Sequence, residues 1–168
     1  SDPGKLALID DNSKFTFLEL EEKVQKFSSF LNQFQEKSVI SLLFENTSEF
    51  VISYLATINS GCIAHLIPTG ISESNLQNQI SSAQPTLVLS SDSYFSKIKN
   101  LELENSMKVK FSEVKEISSE KKIPSSNDYA YLIYTSGTTS TPKGVPITHS
   151  SCDFSTKNIA RILKYSND

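Results

Sequence analysis

Residues 38–68 read SVISLLFENTSEFVISYLATINSGCIAHLIP, and this stretch decides the fold. Residues 38–44 form a short apolar and β-branched run between polar neighbours, which predicts a buried strand. Residues 62–67 form a similar run that ends at Pro68. Apolar residues between the two runs recur at helical spacing, so the stretch predicts a strand, a helix and a second strand in succession.

The helix of this unit has start and stop signals of its own. Thr47 or Ser48 can cap its first turn, and Gly61 lies where a glycine commonly follows a helix. Four residues at helical spacing form its expected apolar face: Val51, Tyr54, Leu55 and Ile58. We therefore expect a helix that packs between the two strands in the chain order.

The segment before this unit predicts another amphipathic helix. Thr16 and Glu19 are spaced as a capping box, in which the hydroxyl and the carboxylate satisfy free amide groups at a helix start. An apolar stripe follows at helical spacing, made of Leu20, Val24, Phe27, Leu31 and Phe34. Charged residues lie off this stripe, as expected for a helix with one buried face.

The alternation continues after Pro68. A helix that opens at Ser72 and stops at Pro85 carries the apolar residues Leu76, Ile80 and Ala83. Further elements are expected in this order: strand 86–89, a weaker helix around 94–98, strand 107–111, a polar surface loop 112–127 and strand 129–134. Strands that alternate with helices predict an α/β fold, with a mostly parallel sheet and helices on both faces.

Composition and charge restrict the function classes. The 168 residues are 38% hydrophobic and carry a formal net charge of −3, which suits one domain or part of a larger one. Arg161 is the only arginine and the isoelectric point is about 5.4, so no nucleic-acid partner is expected. No apolar run approaches the ~20 residues of a membrane helix, and the first residues lack a signal-peptide pattern. We expect a cytoplasmic protein without a membrane span.

Cysteines and histidines do not indicate a metal site. Cys62 and Cys152 lie in different segments without paired spacing, and two buried reduced thiols are expected. His65 and His149 are too few and too far apart in the sequence to predict a metal-binding cluster. His65 is expected to be a packed or partly exposed residue of its strand.

Residues 134–144 read YTSGTTSTPKG, and their composition indicates an anion-binding segment. Two of the five glycines of the chain fall here, and hydroxyl side chains occupy most of the other positions. A turn of this kind can direct several backbone N–H groups and hydroxyls at one oxyanion, and Lys143 adds a positive charge that complements a polyphosphate. Because the segment follows a predicted buried strand, it is expected at the edge where α/β folds bind their ligands.

The P-loop of nucleotide triphosphatases is the nearest generic pattern, but it fits poorly. Gly137 and Lys143 reproduce its glycine-to-lysine spacing. Pro142 replaces its second glycine, and Gly144 replaces the Ser or Thr that would hold magnesium. Residues 145–148 predict an extended run rather than the helix that a P-loop precedes, so the triphosphatase interpretation fails.

The same stretch strongly resembles the phosphate-binding loop of the adenylate-forming superfamily, which includes acyl-CoA synthetases, luciferases and carrier-loading adenylation domains. Residues 134–145 match the pattern Tyr-Thr-Ser-Gly-Thr/Ser-Thr-Gly-x-Pro-Lys-Gly-Val at every fixed position except one. Residues 15–20 and 59–68 resemble two earlier segments of the family more loosely, and His149 occupies the position of a histidine that follows the loop. The resemblance implies that residues 1–168 are the N-terminal portion of an AMP-binding domain, ending shortly after loop 134–145.

What the resemblance implies is a reaction in two steps. A carboxylate attacks the α-phosphate of ATP, pyrophosphate leaves, and a thiol of CoA or of a carrier protein then takes the acyl group from the acyl-AMP. The residues expected to hold the ATP phosphates are Thr135, Ser136, Gly137, Thr138, Thr139 and Lys143, with Ser140, Gly144 and His149 as further candidates. The implied cofactors are ATP and magnesium, whose acidic ligand is expected outside this chain, and the implied substrate is a carboxylic or amino acid.

Two features leave an alternative open. Ser140 stands where the family has glycine, and a positive φ there would cost a serine roughly 1–2 kcal/mol. The adenine, ribose and catalytic-lysine segments of the family follow the phosphate loop and lie outside residues 1–168, so no complete catalytic site is expected and the chain alone should be inactive. The alternative function is a non-catalytic nucleotide-binding or scaffold relative of the family.

Overall fold

The computed structural model of the chain describes residues 2–116, 128–135 and 143–164. Its strands are β1 Leu6–Ile9, β2 Lys14–Thr16, β3 Val39–Leu43, β4 Ile63–Ile67, β5 Leu87–Ser90, β6 Met107–Lys110, β7 Tyr129–Thr135 and β8 Lys143–Thr148. Its helices are α1 Phe17–Leu31, α2 Ser48–Asn59, α3 Glu73–Ala83, α4 Phe95–Lys99 and α5 His149–Ile162. None of the helices in these ranges is long and apolar enough to cross a membrane.

The central sheet has six strands in the order β6-β5-β3-β4-β7-β8. The five strands from β6 to β7 pair in parallel, and β8 pairs antiparallel with β7 at the edge. This confirms the mostly parallel sheet and makes the extended run 145–148 part of an edge strand, a position where proline is tolerated. The chain moves from β3 to β4 towards one edge of the sheet and from β5 to β6 towards the other, so a topological switch point lies between β3 and β5.

Helices cover both faces of the sheet, as expected. On the α1/α2 face, the two helices pack on sheet residues that include Ile40, Leu42, Ala64, Leu87 and Leu89. On the α3/α4 face, Leu76, Ile80 and Ile98 pack on Leu43, Ile67 and Val88. The alternation of residues along each strand therefore feeds two separate cores, which is why the strands read as continuous apolar runs.

The predicted start of α1 is confirmed, whereas the predicted cap of α2 is wrong. The backbone N–H of Thr16 donates to Glu19 Oε2 at 2.8 Å, and the N–H of Glu19 donates to Thr16 Oγ1 at 3.3 Å. Thr47 occupies the N-cap position of α2 but its side chain makes no capping bond. The N–H of Ser48 instead donates to Asp10 Oδ2 at 2.7 Å, so the β1–β2 hairpin supplies the cap from 38 residues away.

The predicted apolar face of α2 is confirmed in part. Tyr54, Leu55 and Ile58 pack against the core of the α1/α2 face, although they and Val51 are only partly buried. The buried residues of the helix are Ser48, Ile52, Ser53, Ala56 and Thr57. Small residues suit the contact with α1, where Ser28 Oγ donates to Ala56 O at 3.4 Å and Ser60 Oγ donates to Ser28 O at 3.3 Å.

Two elements were not expected from the sequence, and one ends early. The β1–β2 hairpin and α5 are additions, because short or polar-rich segments give weak periodic signals. Strand β6 ends at Lys110, and Phe111 begins a single 3₁₀ turn instead of ending the strand. Residues 112–116 of the expected surface loop are described and largely exposed, and residues 117–127 lie outside the described ranges.

Candidate functional site

The candidate phosphate loop connects the two strands of an antiparallel hairpin. Thr135 pairs with Lys143, and Tyr134 pairs with Gly144, at the end of the β7–β8 ladder. The loop therefore leaves and re-enters the sheet at adjacent points, with its two terminal residues held opposite each other by backbone hydrogen bonds. Ser136, Gly137, Thr138, Thr139 and Ser140 lie outside the described residues.

The base of this hairpin lies beside a cleft at the carboxyl edge of the parallel strands. The cleft has a volume of about 570 Å³ and is lined by the residues that follow β3 and β4 together with the end of β7. These lining residues include Glu45, Asn46, Pro68, Thr69, Ile133 and Tyr134. The cleft therefore lies outside the carboxyl ends of the parallel strands, the edge at which open α/β sheets bind ligands.

Thr135 and Lys143 are both exposed at this edge. Their exposure leaves the hydroxyl and the ammonium group accessible to an anion, and the ladder pairing brings the two residues together at the loop base. The lysine ammonium group acts on a phosphate as a point charge, unlike the planar guanidinium group of arginine, which can form two parallel hydrogen bonds. The contribution of Lys143 to phosphate binding therefore depends mainly on distance and desolvation. The structure thus joins two of the expected phosphate-binding residues.

Gly144 is needed for packing at the loop base. A Cβ atom on Gly144 would lie 3.0 Å from Leu132 Cδ1 and 3.2 Å from Tyr134 Cζ. The Tyr134 ring therefore lies across the glycine, in space that any other residue would occupy. No positive φ is involved, so the requirement for glycine here comes from close approach of the ring.

His65 lies on the other side of the Tyr134 ring and was not expected to belong to the site. Its imidazole is fully buried in β4, and its ring centroid is 5.1 Å from that of Tyr134 at an interplanar angle of 62°. Ser41 Oγ and His65 Nδ1 share a hydrogen bond of 2.8 Å across the β3–β4 pair. Burial lowers the pKa of His65 to about 4, against a smaller opposing effect from the Gln79 side chain. The one sequence signal for this arrangement is the unusual presence of a histidine within an apolar strand.

His149 is not brought to the loop base. It is the first residue of α5, and its backbone N–H donates to Asp128 O at 3.0 Å. The preceding Thr148 pairs with Tyr129, at the opposite end of the hairpin from Lys143. Lys143 and Thr148 are five residue steps apart along β8, which at about 3.3 Å per step is roughly 16 Å. A phosphate bound at Thr135 and Lys143 is therefore remote from His149.

The carboxylate of Glu45 lies at the carboxyl edge, where it joins the loop after β3 to the segment after β5. Ser91 Oγ donates to Glu45 Oε2 at 2.8 Å, and Ser93 Oγ donates to Glu45 Oε1 at 2.7 Å. Burial opposes ionisation of Glu45, but these hydroxyls and a backbone bond hold its pKa below the ordinary value. Within the described ranges no group of three or more His, Cys, Asp or Glu residues is arranged to hold a metal ion.

The sheet, the two helical layers and the cleft define an α/β domain with a cleft at the carboxyl edge of its parallel strands. A family model described as AMP-binding enzyme matches residues 1–167, and the chain belongs to this adenylate-forming family. Its fold is that of the N-terminal domain of adenylate-forming enzymes. The o-succinylbenzoate CoA synthetase of Bacillus subtilis in complex with AMP has a TM-score of 0.86 at 24% identity, and the match covers 98% of this chain and 44% of that one.

Curated relatives include a synthase and a CoA ligase. N-(5-amino-5-carboxypentanoyl)-L-cysteinyl-D-valine synthase of Penicillium rubens is 26% identical over 160 residues, covering 88% of this chain and 4% of the synthase. 4-Coumarate:CoA ligase 1 of Petunia hybrida is 27% identical over 156 residues, covering 83% of this chain and 28% of the ligase. ATP-bound MatB from Rhodopseudomonas palustris has a TM-score of 0.85 at 20% identity, covering 99% of this chain and 36% of that one. The chain thus spans less than a third of the length of these two curated relatives.

Proposed function

We propose that this chain supplies the ATP phosphate-binding loop of an enzyme that activates a carboxylate as acyl-AMP and transfers the acyl group to a thiol. The observation that carries the proposal is the match of residues 134–145 to the family pattern, on a hairpin whose loop end lies beside the cleft at the carboxyl edge of the sheet. The acceptor thiol is that of CoA or of carrier-protein phosphopantetheine, since relatives of both kinds match the chain equally well. We place this activity in the cytoplasm.

The proposed roles follow from charge and position. Lys143 contacts the β- and γ-phosphates and stabilises the charge that grows on pyrophosphate as it leaves. The hydroxyls and N–H groups of residues 135–139 orient the same phosphates, which holds the α-phosphate in line with the attacking carboxylate. Ser140 and Gly144 belong to the loop but are not assigned a phosphate contact, and His149 is left out because it lies at the far end of the hairpin.

Magnesium accompanies ATP in this proposal, but the described residues do not form a site for it. No acidic cluster of the required kind occurs in ranges 2–116, 128–135 and 143–164. Following the family resemblance, we assign its acidic ligand to a segment outside this chain and derive no step through the metal. On the same resemblance we propose that the 168 residues are the N-terminal portion of the domain, inactive alone and weak in binding ATP.

Substitution of Lys143 tests the proposal. In the full-length protein, Lys143→Ala should slow ATP–pyrophosphate exchange about 100-fold, measured over a panel of carboxylic and amino acids. Lys157→Ala is the matched control, because it removes an exposed lysine of α5 whose contact is an ion pair with Asp153 at 2.7 Å. Equal exchange rates in the wild type and Lys143→Ala would remove this lysine from the mechanism.

Ser140 favours a second candidate, a non-catalytic nucleotide-binding or scaffold relative. A serine in place of the family glycine is the one departure within residues 134–145. Under the enzyme proposal, Ser140→Gly should raise ATP affinity or turnover in the full-length protein. Absence of exchange activity over the whole panel, combined with measurable ATP binding by calorimetry, would instead support the non-catalytic relative.

A further inference from the structure

One buried ionisable side chain, His65, contacts the loop base without belonging to the family pattern. The imidazole is fully excluded from solvent on the α3/α4 face of the sheet, where its other neighbours are apolar or uncharged. One ring nitrogen is bonded to Ser41, and a hydrogen bond to the Gln79 side chain opposes the lowering of the His65 pKa by burial. A polar ring gains less from burial in an apolar strand than an apolar side chain of similar size, so its presence there needs another reason.

The contacts of the Tyr134 ring supply that reason. On one side the ring meets His65 in an edge-to-face arrangement, with centroids 5.1 Å apart. On the other side it lies across Gly144, so closely that a Cβ there would be 3.2 Å from Tyr134 Cζ. The ring is therefore held between β4 and β8. We call this arrangement the His65–Tyr134–Gly144 stack.

The stack acts on both ends of the candidate loop. Tyr134 directly precedes Thr135, and Gly144 directly follows Lys143. If the ring moved, both residues that open and close the loop would move with it, since Tyr134 and Gly144 pair in the same ladder. Ser41 fixes the imidazole in turn, through a bond of 2.8 Å from a strand at the centre of the sheet.

We propose that His65 is a positioning residue of the phosphate loop, which acts by holding the Tyr134 ring against Gly144. This inference rests on the proposed function, because it assumes that the loop binds the phosphates of ATP. His65 itself contacts no phosphate, since it is buried below the sheet edge. It keeps Thr135 and Lys143 at a fixed distance from each other before an anion binds. This pre-organisation reduces the conformational entropy that is lost on binding.

The test uses the full-length protein and titration calorimetry with two probes, ATP and inorganic tripolyphosphate. His65→Ala removes the ring and should weaken binding of both probes by about fivefold to tenfold, in the range of one aromatic contact. His65→Phe keeps a ring beside Tyr134 and should bind within about twofold of the wild type. Val88→Ala is the matched control, because Val88 is fully buried on the same face but lies in β5, three strands away from β7.

Each outcome decides the matter. Unchanged binding by His65→Ala, equal weakening in His65→Phe, equal weakening in Val88→Ala, or a loss seen with ATP but not with tripolyphosphate would each overturn the positioning role. No binding of either probe by the wild type would overturn the proposed function first and the inference with it. If His65→Ala does not fold, His65→Gln replaces it, since the amide can still bond to Ser41 but carries no ring.

Discussion

Burial of His65 should make the stability of the chain depend on pH in a defined window. In an unfolded chain a histidine titrates near its ordinary pKa of 6.5, whereas burial lowers the pKa of His65 in the folded chain to about 4. Between these two values the unfolded state binds the proton and the folded state does not. Stability contributed by the neutral imidazole is therefore complete above the ordinary pKa and decreases as the pH falls from 6.5 towards 4.

The size of the effect follows from the two pKa values. A difference of about 2.5 pH units corresponds to roughly 3 kcal/mol in total, and about 2 kcal/mol of this is lost between pH 7 and pH 5. The carboxylates of Asp10, Glu19 and Glu45 contribute chiefly below pH 5, because their pKa values are lowered from the ordinary values of 3.8 to 4.5. Burial and neighbouring acidic groups raise the pKa of Glu49, so the histidine is isolated by comparing the wild type with a variant that lacks it and not by the pH interval alone.

Urea unfolding followed by circular dichroism measures this difference. His65→Gln has no titrating ring, so its free energy of unfolding should decrease by about 2 kcal/mol less than that of the wild type between pH 7 and pH 5. His149→Gln is the control, since it removes the other histidine of the chain and leaves the surroundings of His65 unchanged. A pH dependence of His65→Gln that equals the wild type, or one that His149→Gln abolishes, would refute the assignment to His65.

Two further substitutions test contacts that position the site. Gly144→Ala should destabilise the chain by about 1–3 kcal/mol in urea unfolding, because its Cβ would lie 3.0 Å from Leu132 Cδ1 and 3.2 Å from Tyr134 Cζ; unchanged stability would contradict the packing role of this glycine. Asp10→Asn should lower the urea midpoint at pH 7, because hydrogen bonds from the side chain and then the backbone of Ser48 lower the pKa of Asp10 from 3.8 to about 2. The stability from this carboxylate is present above its ordinary pKa and is lost as the pH falls towards 2, so the wild type and Asp10→Asn should converge there, and a constant difference would count against the cap.

The sheet could be predicted because its strands are buried on both faces. Residues 39–43 and 87–90 are apolar with few interruptions, and such short continuous runs between polar or helical segments are typical of central parallel strands. The capping box of α1 and the start and stop signals of α3 are equally local, which is why the start of α1 and both ends of α3 could be predicted. The loop 134–145 could be recognised because its hydroxyl, glycine and lysine residues are contiguous in sequence.

The remaining features depend on contacts between distant residues. Asp10 caps α2 across 38 residues, and no local pattern links an aspartate in one turn to a helix that starts so far along the chain. The inward face of α2 is set by its close approach to α1, which favours Ala56 and Thr57 over the larger residues that periodicity selects. The contact between His65 and Tyr134 likewise joins strands β4 and β7, with two other strands and two helices between them in the sequence.

The residues of the family pattern in this chain divide into two kinds once the hairpin is considered. Lys143 and Thr135 are exposed at the sheet edge, whereas the partly buried Tyr134 ring occupies the space that a side chain at Gly144 would need. Under the proposed function, the pattern therefore combines two requirements, a set of phosphate contacts and a base that holds them. Substitutions at Lys143 should affect binding with little effect on folding, and those at Gly144 should affect both, because they displace the Tyr134 ring. The His65–Tyr134–Gly144 stack extends the second requirement to a strand that the pattern does not include, so the geometry of the loop depends on residues well outside the motif.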